Sequence, residues 1–226
     1  MGGTTMMIRH RRLLTGAKNI DIPRDKLTAY HNAYGRTNND PDRGVLPDLS
    51  GNNRDAYLAG FSFNSNSGYV DNGLVFDGVN SHTRGVSGYE SQFQPLEAGY
   101  YTVVFDILNL NANADRLFFQ INGLRLATTE NIEEYNWWNL KYQEKIIVPR
   151  DVFALTNGKA YTLSGLTIET PFTFVDDMIN YMQIGGLGIA GYQTKMIMNS
   201  IAVFSNVNLD SETCFAIYKK MRNNTL

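Results

Sequence analysis

Carboxylate pairs are the residues of this chain that could cleave a glycosidic bond. That reaction needs two carboxyl groups about 5–9 Å apart on either side of the sugar linkage. Glu133-Glu134 and Asp176-Asp177 are adjacent pairs, so on a strand their side chains would point to opposite faces. We interpret both pairs as solvated loop charges and predict that the protein is not an enzyme.

Other catalytic and metal-binding patterns are equally weak. His10, His31 and His82 are scattered, and none lies at metal-ligand spacing from another histidine or cysteine. The single cysteine, Cys214, excludes an intrachain disulfide and is interpreted as a small buried apolar residue. There is no G-x-S-x-G motif. Residues 185–188 (GGLG) lack the Lys-Ser/Thr that completes a phosphate loop, so we predict a strand with glycines where another backbone or a bend comes close.

Carbohydrate binding is the chemistry that the aromatic residues favour. Residues 135–139 (YNWWN) combine aromatic faces with amides after an acidic stretch, and Tyr135, Trp137 and Trp138 are the candidate sugar-binding residues. Core packing of at least one tryptophan is the alternative, because adjacent residues on a strand cannot both face inwards. Weaker candidates are Tyr89, Tyr100 and Tyr192.

Three aspartates could serve a calcium ion. Asp48, Asp77 and Asp106 supply the oxygen ligands that calcium takes, although capping or turn hydrogen bonds explain them more simply. We therefore expect no cofactor, with a structural calcium ion as the alternative.

Composition and charge exclude several classes of protein. The 226 residues are 43% hydrophobic and 19% charged, which permits a sizeable core. The net charge of −2 argues against nucleic-acid binding driven by overall charge. No run approaches the roughly 18 apolar residues of a membrane span. The basic N-terminus has no apolar run after it and does not resemble a signal peptide, so we expect synthesis in the cytoplasm without secretion by a signal.

The first 25 residues are interpreted as an N-terminal arm. The arm has no sustained period and carries Arg9, Arg11 and Arg12. A solvated terminus and an arm that docks on a larger assembly are both compatible with this pattern. If the arm docks, these three arginines are the candidate partner-binding residues.

The rest of the chain, residues 26–226, predicts a single strand-rich domain. With 20 Gly, 13 Tyr and 12 Phe, the sequence alternates turn residues with strand-favouring residues. Asn122-Gly123 between apolar runs predicts a tight hairpin. Few helical stretches intervene, which favours a β-sandwich or barrel. The predicted strands cover residues 56–63, 73–78, 100–110, 116–126, 142–148, 160–169, 182–190 and 196–205.

One helix is predicted near the C-terminus. Asp210 or Asn208 would be its N-cap, and Asp210 and Glu212 suit the positive end of the helix dipole. Phe215 and Tyr218 follow at helical spacing, and the last turn is basic.

Three segments resemble laminin-G-like domains of the concanavalin A-like lectin/glucanase superfamily. Residues 45–55 (VLPDLSGNNRD) resemble the D-x-S-G-N-G-N element, and residues 73–80 (GLVFDGVN) resemble an L-x-F-D-G strand. Residues 201–212 (IAVFSNVNLDSE) resemble the final strand and the start of the following helix. Asn80-Ser81 replaces paired aspartates, which argues against calcium there, and Asn53 replaces a glycine. The resemblance implies an all-β, concanavalin A-like jelly-roll β-sandwich with one short C-terminal helix.

The segment before these motifs implies a biological setting. Residues 27–40 resemble a variant found in virion-associated proteins of gut bacteriophages. The resemblance implies a non-enzymatic structural, decoration or fibre-associated virion protein that binds other virion proteins through its arm, with glycans of cell surfaces or mucins as ligands. We expect no nucleic-acid or membrane partner, and a homo-oligomer, since symmetric assemblies are usual. A bacterial carbohydrate-binding module is the main alternative, and a divergent glycoside hydrolase is the third.

Overall fold

The computed structural model describes residues 20–84, 101–110, 119–121, 124–127, 145–147, 151–169, 182–185 and 194–226. Fifteen strands and one α-helix are formed within these ranges. The strands are β1 (Leu27–Asn32), β2 (Val45–Leu46), β3 (Ala56–Ala59), β4 (Gly68–Val70), β5 (Gly73–Asp77), β6 (His82–Arg84), β7 (Tyr101–Asn109), β8 (Phe119–Ile121), β9 (Leu124–Ala127), β10 (Lys145–Ile147), β11 (Val152–Thr156), β12 (Lys159–Thr162), β13 (Thr167–Glu169), β14 (Met182–Ile184) and β15 (Lys195–Ser205). The helix is α1 (Ser211–Arg222), and a 3-10 turn (Arg24–Lys26) precedes β1.

The largest sheet has eight strands built around β15. Its order is β13-β12-β11-β7-β15-β5-β4, and β1 also pairs with β15. β1 and β5 share one side of this long strand, with β1 opposite residues 200–204 and β5 opposite residues 195–198. β7 pairs antiparallel along the other side.

Two smaller sheets lie next to each other. Their orders are β10-β9-β8-β14 and β2-β3-β6. The Thr83 hydroxyl on β6 accepts a hydrogen bond from the backbone N–H of Ile184 on β14 at 3.0 Å, which joins the two sheets edge to edge. β8 and β9 pair antiparallel with Ile121 opposite Leu124, so the predicted strand pairing on either side of Asn122-Gly123 is confirmed.

Two apolar clusters show a layered architecture. Alternate residues of β15 face opposite sides, as the pleat of a strand requires. Ile201 and Val203 pack in the larger cluster with Leu46, Leu58 and Ile184 of the smaller sheets. On the other face, Ala202 and Phe204 pack in a cluster that includes four buried residues of α1, namely Cys214, Ile217, Tyr218 and Met221. The smaller sheets therefore cover one face of the large sheet, and the helix covers the other.

The predicted all-β sandwich with one short C-terminal helix is confirmed. Asp210 is the N-cap of α1, and its side chain accepts a hydrogen bond from the backbone N–H of Thr213 at 2.7 Å. The predicted strand over residues 160–169 is wrong as one element, because a turn with a left-handed Gly165 divides it into β12 and β13. No helix in the described ranges is long and apolar enough to cross a membrane.

A glycine ends β14 where an aromatic ring approaches the backbone. Gly185 has a φ of 85°, and a side chain there would collide with the ring of Phe76. Of the predicted bend or close backbone in the 185–188 segment, the bend is confirmed at Gly185, where the close neighbour is a ring and not a backbone; residues 186–188 lie outside the described residues.

Candidate functional site

A polar cleft of about 230 Å³ opens where β1 begins and β15 ends. One wall is the loop over residues 48–55, and another is the 3-10 turn before β1. Two of the segments that carry the family resemblance, residues 45–55 and 201–212, therefore meet at this cleft. The residues that line it are Asp25, Lys26, Leu27, Thr28, Asn52, Arg54, Ser205 and Asn206.

Side-chain hydrogen bonds fix the walls of the cleft. The amide of Asn52 donates to the backbone carbonyls of Leu27 at 2.9 Å and of Thr28 at 3.1 Å. The hydroxyls of Thr28 and Ser205 are hydrogen-bonded to each other across β1 and β15. Because these groups belong to different elements, the cleft exists only in the folded chain.

Asp48 organises the loop that forms one wall. Its carboxylate accepts hydrogen bonds from the backbone N–H groups of Tyr30 (2.9 Å), Ser50 (3.0 Å) and Arg54 (3.0 Å), and from the Ser50 hydroxyl (2.8 Å). Burial opposes ionisation, but these donors outweigh it and hold the pKa of Asp48 below its ordinary value. Asn53 lies in the same loop, at the position where the resembling element has a glycine. Its φ of 55° is the left-handed conformation that glycine and asparagine adopt most readily.

Asp77 plays a similar role in the turn between β5 and β6. One of its oxygens accepts hydrogen bonds from the backbone N–H groups of Val79, Asn80 and Ser81 at 2.8–3.0 Å and from the Ser81 hydroxyl at 2.6 Å. Burial raises the pKa of Asp77, but these hydrogen bonds together lower it. The interpretation of Asp48 and Asp77 as partners of turn hydrogen bonds is thus confirmed.

Asp106 belongs to a network between the large sheet and α1. Its carboxylate accepts hydrogen bonds from the Tyr218 hydroxyl at 3.3 Å and from the Asn199 amide at 3.1 Å. It also pairs with the guanidinium of Arg222 at 3.4 Å. Across the described residues, no group of three or more His, Cys, Asp or Glu side chains is arranged to hold a metal ion.

The histidines and the cysteine in the described ranges take structural positions. His31 is fully buried, with its Nδ1 atom 3.1 Å from the carbonyl of Pro47, and His82 contacts the carbonyl of Asn80 at 2.7 Å. Cys214 is fully buried on α1, and its burial raises the pKa of the thiol far above the ordinary value. The interpretation of Cys214 as a small core residue is therefore confirmed, since an inert buried thiol is a poor nucleophile.

The residues predicted to bind partners lie outside the described residues. These are the carbohydrate candidates Tyr135, Trp137 and Trp138 and the arm residues Arg9, Arg11 and Arg12. The same holds for the weaker aromatic candidates and for both carboxylate pairs, namely Tyr89, Tyr100, Tyr192, Glu133-Glu134 and Asp176-Asp177.

Sequence reasoning missed the residues of the polar cleft. Asp25 and Lys26 were placed at the boundary of the arm, and Asn206 in a strand-to-helix connection. The available signal was the order and separation of the resembling segments, which include both the 45–55 loop and the final strand. Their spatial meeting depends on β1 pairing with β15.

Comparison with known proteins gives a match at the level of the fold. No family model matches the sequence, and no curated protein sequence matches it. Among solved structures, Trypanosoma rangeli sialidase in complex with sialic acid matches 88% of this chain with 14% identity and a TM-score of 0.50. Trypanosoma rangeli sialidase also matches 88%, with 15% identity and a TM-score of 0.50. Its complex with 2,3-difluoro-KDN matches 88% of the chain with 15% identity and a TM-score of 0.51.

The extent of these matches limits what they show. The chain spans 33% of the length of each of these sialidase chains. At 14–15% identity, the similarity concerns the fold. These matches do not support the predicted link to bacteriophages, which stays a prediction.

The prediction that the protein is not an enzyme is contradicted by the matched structures, which are sialidases, although the chain spans only 33% of their length. It was based on the absence of a paired-carboxylate motif. Sialidases are glycoside hydrolases that use a tyrosine nucleophile instead, so the missing motif excluded only one catalytic arrangement.

One tyrosine in the described ranges is paired with a carboxylate. The Tyr218 hydroxyl donates to Asp106, and the guanidinium of Arg222 lies 5.8 Å from the centre of the Tyr218 ring. Burial, and then the charge of Asp106, raises the pKa of Tyr218, whereas an activated nucleophile needs a lowered pKa. This tyrosine therefore joins α1 to the sheet as a structural residue.

Proposed function

We propose that this chain is a carbohydrate-binding domain with a concanavalin A-like β-sandwich fold. The observation that carries the proposal is the polar cleft, which is built by two of the segments that resemble laminin-G-like domains. Sugars are recognised by convergent hydroxyl, amide and charged groups, and the cleft supplies all three kinds. The similarity of fold to the sialidases supports a connection with carbohydrate chemistry.

A glycan array probed with the full chain tests this function. We expect binding to a defined group of glycans, and binding that is weakened about tenfold by Asn52→Ala, which removes the amide that holds the cleft wall against β1. Asn66→Ala, in an exposed turn, is the matched control. Thermal unfolding of both variants separates a lost contact from a lost fold. No binding on a broad array would contradict the proposal.

The tryptophan pair offers a second surface for the same function. Trp137→Ala and Trp138→Ala on the same array distinguish it from the cleft, since aromatic faces are the usual platforms for sugar rings. Loss of binding in these variants with full binding by Asn52→Ala would move the site from the cleft to the residue 135–139 cluster.

Glycoside hydrolysis is the second candidate function, favoured by the fold similarity to sialidases. A fluorogenic sialoside tests it directly with the purified chain. Turnover above that of a heat-denatured sample would support hydrolysis by this chain, and its absence would favour binding alone.

The setting that we propose for the glycan-binding domain is a bacteriophage virion. The resemblance of residues 27–40 to virion-associated domains supports it, and a glycan-binding surface suits a particle that must attach to cells or mucins. A bacterial carbohydrate-binding module is the alternative setting.

A further inference from the structure

The charged residues of the polar cleft give it an excess of positive charge. Asp25, Lys26 and Arg54 are the charged residues among those that line it, so the lining includes two cations and one anion. The backbone N–H of Arg54 is held by Asp48 at 3.0 Å, which fixes this residue in the wall. Guanidinium and ammonium groups are the side chains that bind carboxylates most strongly, and a guanidinium can do so with two hydrogen bonds.

The ion pair within the cleft is easily exchanged. The Nζ atom of Lys26 lies 3.5 Å from the carboxylate of Asp25, and the two side chains are 46% and 73% exposed. Exposed pairs of this kind contribute little to stability. A carboxylate on a ligand can therefore replace Asp25 as the partner of Lys26 at little cost.

The uncharged groups of the cleft suit the rest of a sugar ring. Thr28, Asn52, Ser205 and Asn206 contribute hydroxyl and amide groups to the lining, and Asn52 is held by backbone carbonyls. A cleft of about 230 Å³ is smaller than the roughly 300–1,000 Å³ of pockets for drug-sized ligands. This size fits one terminal sugar residue.

We propose that the polar cleft binds the carboxylate-bearing residue of an acidic glycan, with Lys26 and Arg54 on the carboxylate and the hydroxyl and amide groups on the ring. This inference rests on the proposed carbohydrate-binding function and names its ligand class. It predicts selectivity for uronic or sialic acids over neutral sugars of the same size.

The test compares glucuronic acid with glucose, which share a ring and differ in the carboxylate, with N-acetylneuraminic acid as a third ligand. Ligand-observed NMR titration of the full chain measures each affinity. We expect glucuronic acid to bind about tenfold more tightly than glucose, because its carboxylate adds a charge-assisted hydrogen bond. We also expect this preference to shrink as salt screens the charges.

Three variants locate the effect. Lys26→Gln should weaken glucuronic acid binding about tenfold and leave glucose binding unchanged. Asp25→Asn should strengthen acid binding about twofold to threefold, because it removes the competing anion. Lys159→Gln is the matched control, since Lys159 is 47% exposed and also forms an exposed ion pair, 3.9 Å from Glu169. Its acid binding should equal that of the unmodified chain.

The outcomes separate this inference from the function on which it rests. Equal affinity for the acid and the neutral sugar, or equal losses in Lys26→Gln and Lys159→Gln, would overturn the inference and leave carbohydrate binding standing. Absence of binding to all three sugars, together with a negative glycan array, would overturn both.

Discussion

At the scale of single residues, burial decides what the titratable groups can do. Asp48 and Asp77 are saturated by backbone donors, and His31 is enclosed between the large sheet and the loop of Pro47. Each was a candidate for chemistry by residue type alone. Their hydrogen bonds instead fix the loops that shape the molecule, so their substitution should affect stability first.

His31 should make the fold sensitive to mild acid. Burial lowers the pKa of His31 below its ordinary value of 6.5, although the charges of Asp48 and Asp55 oppose this shift. The unfolded chain therefore binds the proton more readily, and the free energy of unfolding falls as the pH drops below about 6.5. Urea titrations between pH 8 and pH 5 measure this slope.

One variant tests the assignment of the slope to His31. His31→Gln should flatten the pH dependence in this window, whatever its effect on stability at pH 8. An unchanged slope in His31→Gln would show that another group titrates there.

Asp48→Asn should destabilise the loop that forms the cleft wall. The amide can no longer accept all four hydrogen bonds that the carboxylate receives, and we expect a loss of about 2–3 kcal/mol in the free energy of unfolding. The exposed Asp21→Asn is the control and should change stability by less than about 0.5 kcal/mol. Equal effects of the two substitutions, measured by urea denaturation, would contradict this role.

At the scale of elements, pairing along β15 assembles the three resembling segments. β1 and β5 occupy successive parts of one side of this strand, and the 48–55 loop lies against the start of β1. A second contact joins the end of β3 to the turn after β5, where Gly60 meets the backbone of Asn80. These contacts depend on close backbone approach more than on the pattern of apolar residues.

Two glycines allow the contribution of close approach to be measured. Gly60 and Gly165 have φ values of 72° and 86°, but only Gly60 has a backbone atom in the space that a Cβ would need. Gly165→Ala should therefore lower the free energy of unfolding by only about 1 kcal/mol, which is the cost of placing a side chain on a left-handed residue. Gly60→Ala should lower the free energy of unfolding by roughly 1–3 kcal/mol more than Gly165→Ala does, because the Asn80 backbone must move. Equal losses in urea denaturation would show that the contact at Gly60 is unimportant.

At the scale of the whole molecule, two layers of strands carry a helix on the outer face of the large sheet. The helix seals one face with Ile217, Tyr218 and Met221, while the smaller sheets cover the other. The division into an arm over residues 1–25 and one domain over residues 26–226 stays a prediction. So does attachment of the domain to a virion through the arginines of the arm.

Purified bacteriophage particles test the virion prediction. Quantitative mass spectrometry of density-purified particles from a phage that encodes this chain should find it at a fixed copy number. Replacement of Arg9, Arg11 and Arg12 by alanine should deplete it from particles, whereas Lys219→Ala with Lys220→Ala, on the exposed side of the helix, should not. Its absence from particles would contradict the predicted role.

The sequence by itself determined the local features of this protein. Turn residues, the alternation of apolar residues, the N-cap Asp210 and the pairing of β8 with β9 were all readable, because each depends on neighbours within a few residues. Strands β1 and β11 were not predicted. β1 ends in a polar pair, His31 and Asn32, whose burial depends on distant partners such as the Met221 carbonyl.

Only the tertiary structure decided where the candidate site lies. The cleft joins residues 25–28, 52–54 and 205–206, which no local pattern connects. Their meeting follows from antiparallel pairing of β1 with β15 across more than 160 residues of chain, as in Leu27 opposite Phe204. Such pairing depends on burying two sheet faces and a helix at once, a property of the whole chain that single segments do not carry.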